Sequence, residues 1–208
     1  MSPRPKIEHL RKPQIVAAAA EVLYERGLFE TRIGDIAKRA GTSAPTILYY
    51  FESKDRLLEA AVDHADRAWY ARLERRLRAC DGAAAKLARL IEDTCEGQGT
   101  QGDWTLWLEI WVRALRDPAV RASYPQLDRR QRSLIAALVR EGRASGEFAA
   151  DADPDDVAVD LSALMDGLGI QVTLGQPDVT RERMVRRCLA FASLELGCEL
   201  RAGAGARA

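Results

Sequence analysis

Histidine is nearly absent from this chain: His9 and His64 are the only two in 208 residues. Cysteine is scarce too, and Cys80, Cys95, Cys188 and Cys198 never fall in a C-x-x-C pair. A zinc site needs clustered ligands of these two types, so no metal is expected. The cysteines read instead as buried, reduced thiols of a cytoplasmic protein. No run of about 18 apolar residues exists, and the N-terminus lacks the apolar centre of a signal peptide, so neither a membrane partner nor export is expected. A phosphate-binding glycine loop and a paired catalytic constellation are also missing, so the chain is read as no enzyme and as needing no cofactor. Net charge is zero, with 31 basic and 31 acidic side chains. That balance excludes nothing, because the footprint of a nucleic-acid partner is local. The first 56 residues carry ten basic and seven acidic side chains, a mild excess of the sign that suits DNA.

Strand signals are missing as well. No segment alternates strictly, and apolar residues recur at three- and four-residue spacing almost throughout, so the fold is expected to be all-α. A first helix should run from about His9 or Pro13 to Arg26, with Ile15, Ala18, Ala19, Val22 and Leu23 inward and Gly27 as its end. Thr31 can cap a short second helix and Ser43 a third, with Gly41 breaking the chain between them. Ser53 can cap a long fourth helix reaching about Ala79, roughly 40 Å at 1.5 Å per residue. The remainder reads as a helical bundle. One helix follows Ala83 and another Asp103; a third spans about Tyr124 to Ala144, a fourth starts after Asp153, and a last runs from about Thr180 to Leu200. Residues 1–8 and the Gly/Ala/Arg-rich 201–208 are expected to be disordered tails.

Arg32–Ala40, the turn Gly41–Thr42 and Ser43–Tyr50 form two short helices about a glycine turn, the spacing of a helix-turn-helix over about residues 32–51. Ser43, Ala44, Pro45 and Thr46 are small enough to approach base edges, and Ala44 or Thr46 can touch a thymine methyl. Tyr49 and Tyr50 follow one turn later, where a phenol can reach phosphate, and Lys54 adds charge at the next helix start. The same spacing also occurs in helical proteins that bind no DNA.

The run T-R-I-G-D-I-A-K-R-A-G-T-S-A-P-T-I-L-Y-Y-F-E-S-K-D-R-L-L, Thr31 to Leu58, resembles the N-terminal domain of TetR-family regulators, and the match extends back through A-A-A-E-V-L-Y-E-R-G. The resemblance implies about nine helices: a three-helix helix-turn-helix domain over 9–58, then an effector-binding and dimerisation bundle over 59–200. It implies that Thr31, Tyr50 and Lys54 contact phosphates, while Ser43, Ala44, Pro45, Thr46 and Tyr49 form the reading surface; Arg32, at the start of the motif, is a further expected DNA-binding residue. Many members carry Tyr at the position of Leu48 and His at that of Tyr49, a departure that redistributes the local contacts. The family further implies a homodimer built on the last two helices, with Val157, Leu161, Leu164, Leu168, Val185 and Leu189 at the interface and Gly167 and Gly169 permitting close approach. Such a dimer presents two reading helices about 34 Å apart to a palindromic operator in double-stranded DNA. It implies a repressor released by a small-molecule effector. Trp104, Trp107 and Trp111 share a helical face and are either core or pocket wall, with Trp69 and Tyr70 as further pocket candidates. The W-x-L-W-L-E-I-W run is loosely similar to the betaine/choline-type subgroup.

Overall fold

The computed structural model describes residues 5–96 and 104–203, and their side chains except those of 5–10, 119 and 123–128. The helices are α1 (Pro5–Glu30), α2 (Ile33–Arg39), α3 (Ala44–Phe51), α4 (Lys54–Arg78), α5 (Gly82–Glu96), α6 (Trp104–Arg116), α7 (Pro118–Ser145), α8 (Pro154–Thr173) and α9 (Arg181–Leu196). No strand occurs among the described residues, as the apolar spacing predicted. Among them, too, no helix is long and apolar enough to cross a membrane.

Several helix boundaries differ from expectation, among them the end of α9, which stops at Leu196 before the left-handed Gly197 rather than near Leu200. Helix α1 begins at Pro5, inside the segment read as a flexible tail; proline suits a first helical turn because its missing N–H has no partner there in any case. Residues 1–4 and 204–208 of the two expected tails lie outside the described residues. Helix α7 begins at Pro118 rather than near Tyr124, for the same reason: Pro118 ends α6 and also opens the next helix.

The chain divides into two compact units, residues 1–69 and 70–208, and the division falls inside α4. The sequence placed the boundary at 58/59, earlier in the same helix. In the first unit Ile15, Ala19, Val22 and Leu23 of α1, Ile36 of α2, Ile47 and Phe51 of α3, and Leu57, Leu58 and Ala61 of α4 are buried. Helical geometry in α1 stops at Gly27, and the Thr31 hydroxyl donates to the Gly27 carbonyl at 2.6 Å. Thr31 therefore does not cap α2. Arg32 occupies that position, with extended backbone and no side-chain cap. After α2, Gly41 takes φ +61°, which lets the Thr42 amide return to the Ala37 carbonyl at 2.9 Å. Ser43 then caps α3, accepting from the Thr46 amide at 3.3 Å, as its type predicted.

In the second unit, α7 and α8 pack side by side, α9 packs on α5 and α8, and α6 packs on α7 and α8. Helix α5 starts against a remote cap: the Glu147 carboxylate accepts from the Ala83 and Ala84 amides, both at 3.0 Å. Those bonds favour the ionised form and hold the Glu147 carboxyl below its usual range. Asp153 caps α8 ahead of Pro154, and Thr180 caps α9. The four cysteines are free thiols, and Cys80, Cys95 and Cys188 are buried.

Candidate nucleic-acid interface

Helix α3 advances about 100° per residue, so its core and outward faces follow from its sequence. Ile47 and Phe51 point inward and are buried. Pro45 and Tyr49 fall opposite them and are exposed, Tyr49 to 76%. Leu48 lies beside them and is 42% exposed. The rings of Tyr49 and Tyr50 meet edge to face, 5.4 Å apart. Tyr50 is half-buried on a groove of about 620 Å³ that Lys12, Pro13, Asp63 and His64 also line. Ser43 is exposed and Thr46 half-buried, their hydroxyls 2.8 Å apart. Ala44 is half-buried toward the core side.

Charge is sorted around this helix. Arg26 pairs with Asp35 at 3.0 Å. Arg39 pairs with Glu21 at 2.9 Å and Glu25 at 2.6 Å, and its guanidinium holds the Glu25 carboxyl low. Arg32, Lys38 and Lys54, by contrast, have no carboxylate partner among the described residues. Arg32 stands at the start of α2 and Lys54 at the start of α4, where backbone N–H groups add positive potential.

Thr31 is the exception among the expected DNA residues. It is wholly buried, and its hydroxyl is spent on the Gly27 carbonyl. Its side chain positions the entry to α2 and offers no surface to a phosphate. Only burial shows this; the residue type suits either task.

The expected effector residues fall on both sides of the unit boundary. Trp69 closes the first unit, while Tyr70, Trp104, Trp107 and Trp111 belong to the second. Trp104 and Trp107 are buried and Trp111 half-buried. The Arg130 guanidinium lies 4.8 Å from the Tyr70 ring centre. The Trp104 indole rests on the α8 backbone so closely that a Cβ at Gly169 would stand 2.3 Å from its Cε2. Gly169 thus serves an approach within the chain, not one between chains. The Trp104 and Trp111 indole N–H groups and the Ser162 hydroxyl are buried without a hydrogen-bond partner among the described residues. Asp166, missed by sequence reasoning, sits one turn from Gly169 on α8. Burial outweighs the nearby Arg132 and pushes its carboxyl up to about 6. Only the 3.6-residue register of α8 with Gly169 could have signalled it.

The expected dimer residues divide as well. Val157, Leu161 and Leu189 are buried within their own chain and have no surface left for a partner. Their stripe faces the interior because α8 and α9 each pack against neighbours on that side. Leu164, Leu168 and Val185 keep partial exposure, and Gly167 faces open space.

A helix-turn-helix carried on a compact N-terminal unit, followed by a second unit that is purely helical among the described residues, is an arrangement that DNA-binding transcriptional regulators use. The family described as bacterial regulatory proteins, tetR family, matches residues 15–61. The family described as BetI-type transcriptional repressor, C-terminal, matches residues 83–197, more than half of the chain. The chain is 30% identical over 184 residues to the HTH-type transcriptional regulator BetI of Burkholderia mallei, covering 84% of this chain and 88% of that one. It is 28% identical over 199 residues to its namesake in Ectopseudomonas mendocina, covering 93% and 97%. A transcriptional regulator from Saccharomonospora viridis, solved in complex with choline, superposes with a TM-score of 0.77 at 33% identity, covering 89% and 96%. The chain belongs to the TetR family of bacterial transcriptional regulators, with a BetI-type C-terminal part.

Proposed function

We propose that this chain is a repressor that binds a palindromic operator as a homodimer and releases it when a small-molecule effector occupies the second unit. The observation that carries the DNA-binding part is the exposed outer face of α3, with Arg32 and Lys54 free of carboxylate partners among the described residues. Arg32, Tyr50 and Lys54 hold the phosphates; Ser43, Pro45, Thr46 and Tyr49 face the bases, with Ala44 at the edge of that surface. Dimerisation uses α8 and α9, on which Leu164, Leu168 and Val185 keep partial exposure and Gly167 faces open space. Apolar side chains exposed together on adjoining helices favour a partner surface.

For the effector we propose an amphiphilic cation. The choline bound by the Saccharomonospora viridis regulator supports this class. So do buried indoles, whose faces attract cations, and the desolvated Asp166 carboxylate one turn from the Trp104–Gly169 contact. The effector acts by preferring the conformer that fits DNA poorly.

Full-length protein is to be titrated into a random-sequence duplex pool, with selected sites measured by fluorescence anisotropy at several salt concentrations. Selection of a palindrome, a steep salt slope, and loss of about tenfold or more in affinity on Lys54→Ala or Tyr50→Ala are expected. Equal binding to all duplexes refutes operator recognition. Choline is expected to weaken the selected complex, and an unchanged Kd at millimolar choline refutes the effector assignment.

A further inference from the structure

Helix α3 is Ala-Pro-Thr-Ile-Leu-Tyr-Tyr-Phe, and it lacks every side chain that reads a purine bidentately. Arg or Lys on guanine needs a donor fork or ammonium, and Asn or Gln on adenine needs an amide. What α3 turns outward is mostly apolar, the Tyr49 hydroxyl apart. Pro45, Leu48 and Tyr49 stand at i, i+3 and i+4, so they adjoin on the helix surface. All three are exposed. A single exposed leucine is ordinary. This one stands beside an exposed tyrosine and a proline on the outer face of α3.

The major groove displays one apolar feature that differs between base pairs, the C5-methyl of thymine. We propose that α3 reads thymine through this methyl group, with Leu48 as the specificity-determining residue and Pro45 beside it. The hydroxyls near the helix start cannot fork across two atoms of a base edge as an amide or guanidinium does. The Ser43 and Thr46 hydroxyls already hydrogen-bond each other, and the Ser43 oxygen also accepts the Thr46 amide. Specificity then comes from excluding water between leucine and methyl, and it distinguishes T·A from the other pairs without a hydrogen bond. The inference rests on the proposed DNA-binding reading and adds which base is read and how.

The test needs no effector. In the duplex selected by the parent protein, each thymine is replaced in turn by deoxyuridine, which removes only the methyl. At one symmetric pair of positions the Kd is expected to rise about fourfold per half-site, from about 0.8 kcal/mol for a methyl-sized apolar group, and about fifteenfold with both half-sites changed. Leu48→Ala is expected to bind the thymine duplex about that much more weakly and to show no further loss with deoxyuridine. Its melting temperature should match the parent's, since Leu48 is exposed. Deoxyuridine without effect at every position overturns the proposal. A deoxyuridine effect equally large in Leu48→Ala overturns the assignment to Leu48. Absence of binding to any duplex by the parent overturns the proposed function itself, a separate result.

Discussion

A methyl group added at Gly169 tests the join between the tryptophan helix and α8. Glycine inside a helix is ordinarily the weaker choice, and replacing it by alanine gains about 0.5–1 kcal/mol. Here the new Cβ would stand 2.3 Å from Trp104 Cε2, 2.4 Å from Cδ2 and 2.8 Å from Cζ2. Trp104 is buried, so its ring cannot swing aside without leaving the core. Overpacking of this kind costs about 1–3 kcal/mol and exceeds the helix gain. At about 1 kcal/mol net, Gly169→Ala should melt about 2–4 °C lower, for a chain of this length. The assay is calorimetry of the parent, Gly169→Ala, Trp104→Leu and the double variant. With the indole gone, the added methyl meets less, so the two losses should fall short of additive by about 1 kcal/mol or more. Gly169→Ala should also blunt the choline response while leaving operator affinity without effector unchanged. A melting temperature equal to or above the parent's, or strict additivity, refutes the reasoning.

Three further outcomes follow from the geometry. Glu147→Ala removes the carboxylate cap from α5 and should cost about 1–2 kcal/mol at pH 7 by thermal melting. Because the folded pKa of Glu147 is depressed, its contribution is present above the ordinary value of 4.5 and disappears as pH falls through the folded value, so parent and variant should converge in acid. Asp93 behaves oppositely. Burial, opposed by Arg76 at 3.0 Å and Arg89 at 3.9 Å, pushes its carboxyl up to about 6. The folded state then holds a proton that the unfolded state has released, so this group's contribution to stability falls as pH rises from about 3.8 to about 6. Asp93→Asn should remove that part of the slope in melts across pH 4–8, and an unchanged slope rejects the assignment. Thr31→Val deletes a buried hydrogen bond and should lower stability by about 1 kcal/mol with operator affinity unchanged. A tenfold affinity loss at unchanged stability would return Thr31 to the phosphate contacts.

The sequence alone determined the helices and the helix-turn-helix. Apolar spacing is local, and so are the serine cap of α3 and the glycine turn before it, because each depends on residues within one or two turns. The outward face of α3 was likewise implicit, since a helix with Ile47 and Phe51 inside must turn Pro45 and Tyr49 out. What depended on contacts distant in sequence was not legible. That Thr31 turns back to Gly27, that Glu147 caps a helix more than sixty residues earlier, and that Gly169 receives Trp104 are results of packing. The same holds for the α8 stripe. Its period marked Val157 and Leu161 as apolar, but an apolar period is identical for a core and for a dimer face. Only the neighbouring helices decided that both residues are consumed inside the chain, because burial is a property of what surrounds a side chain rather than of its type.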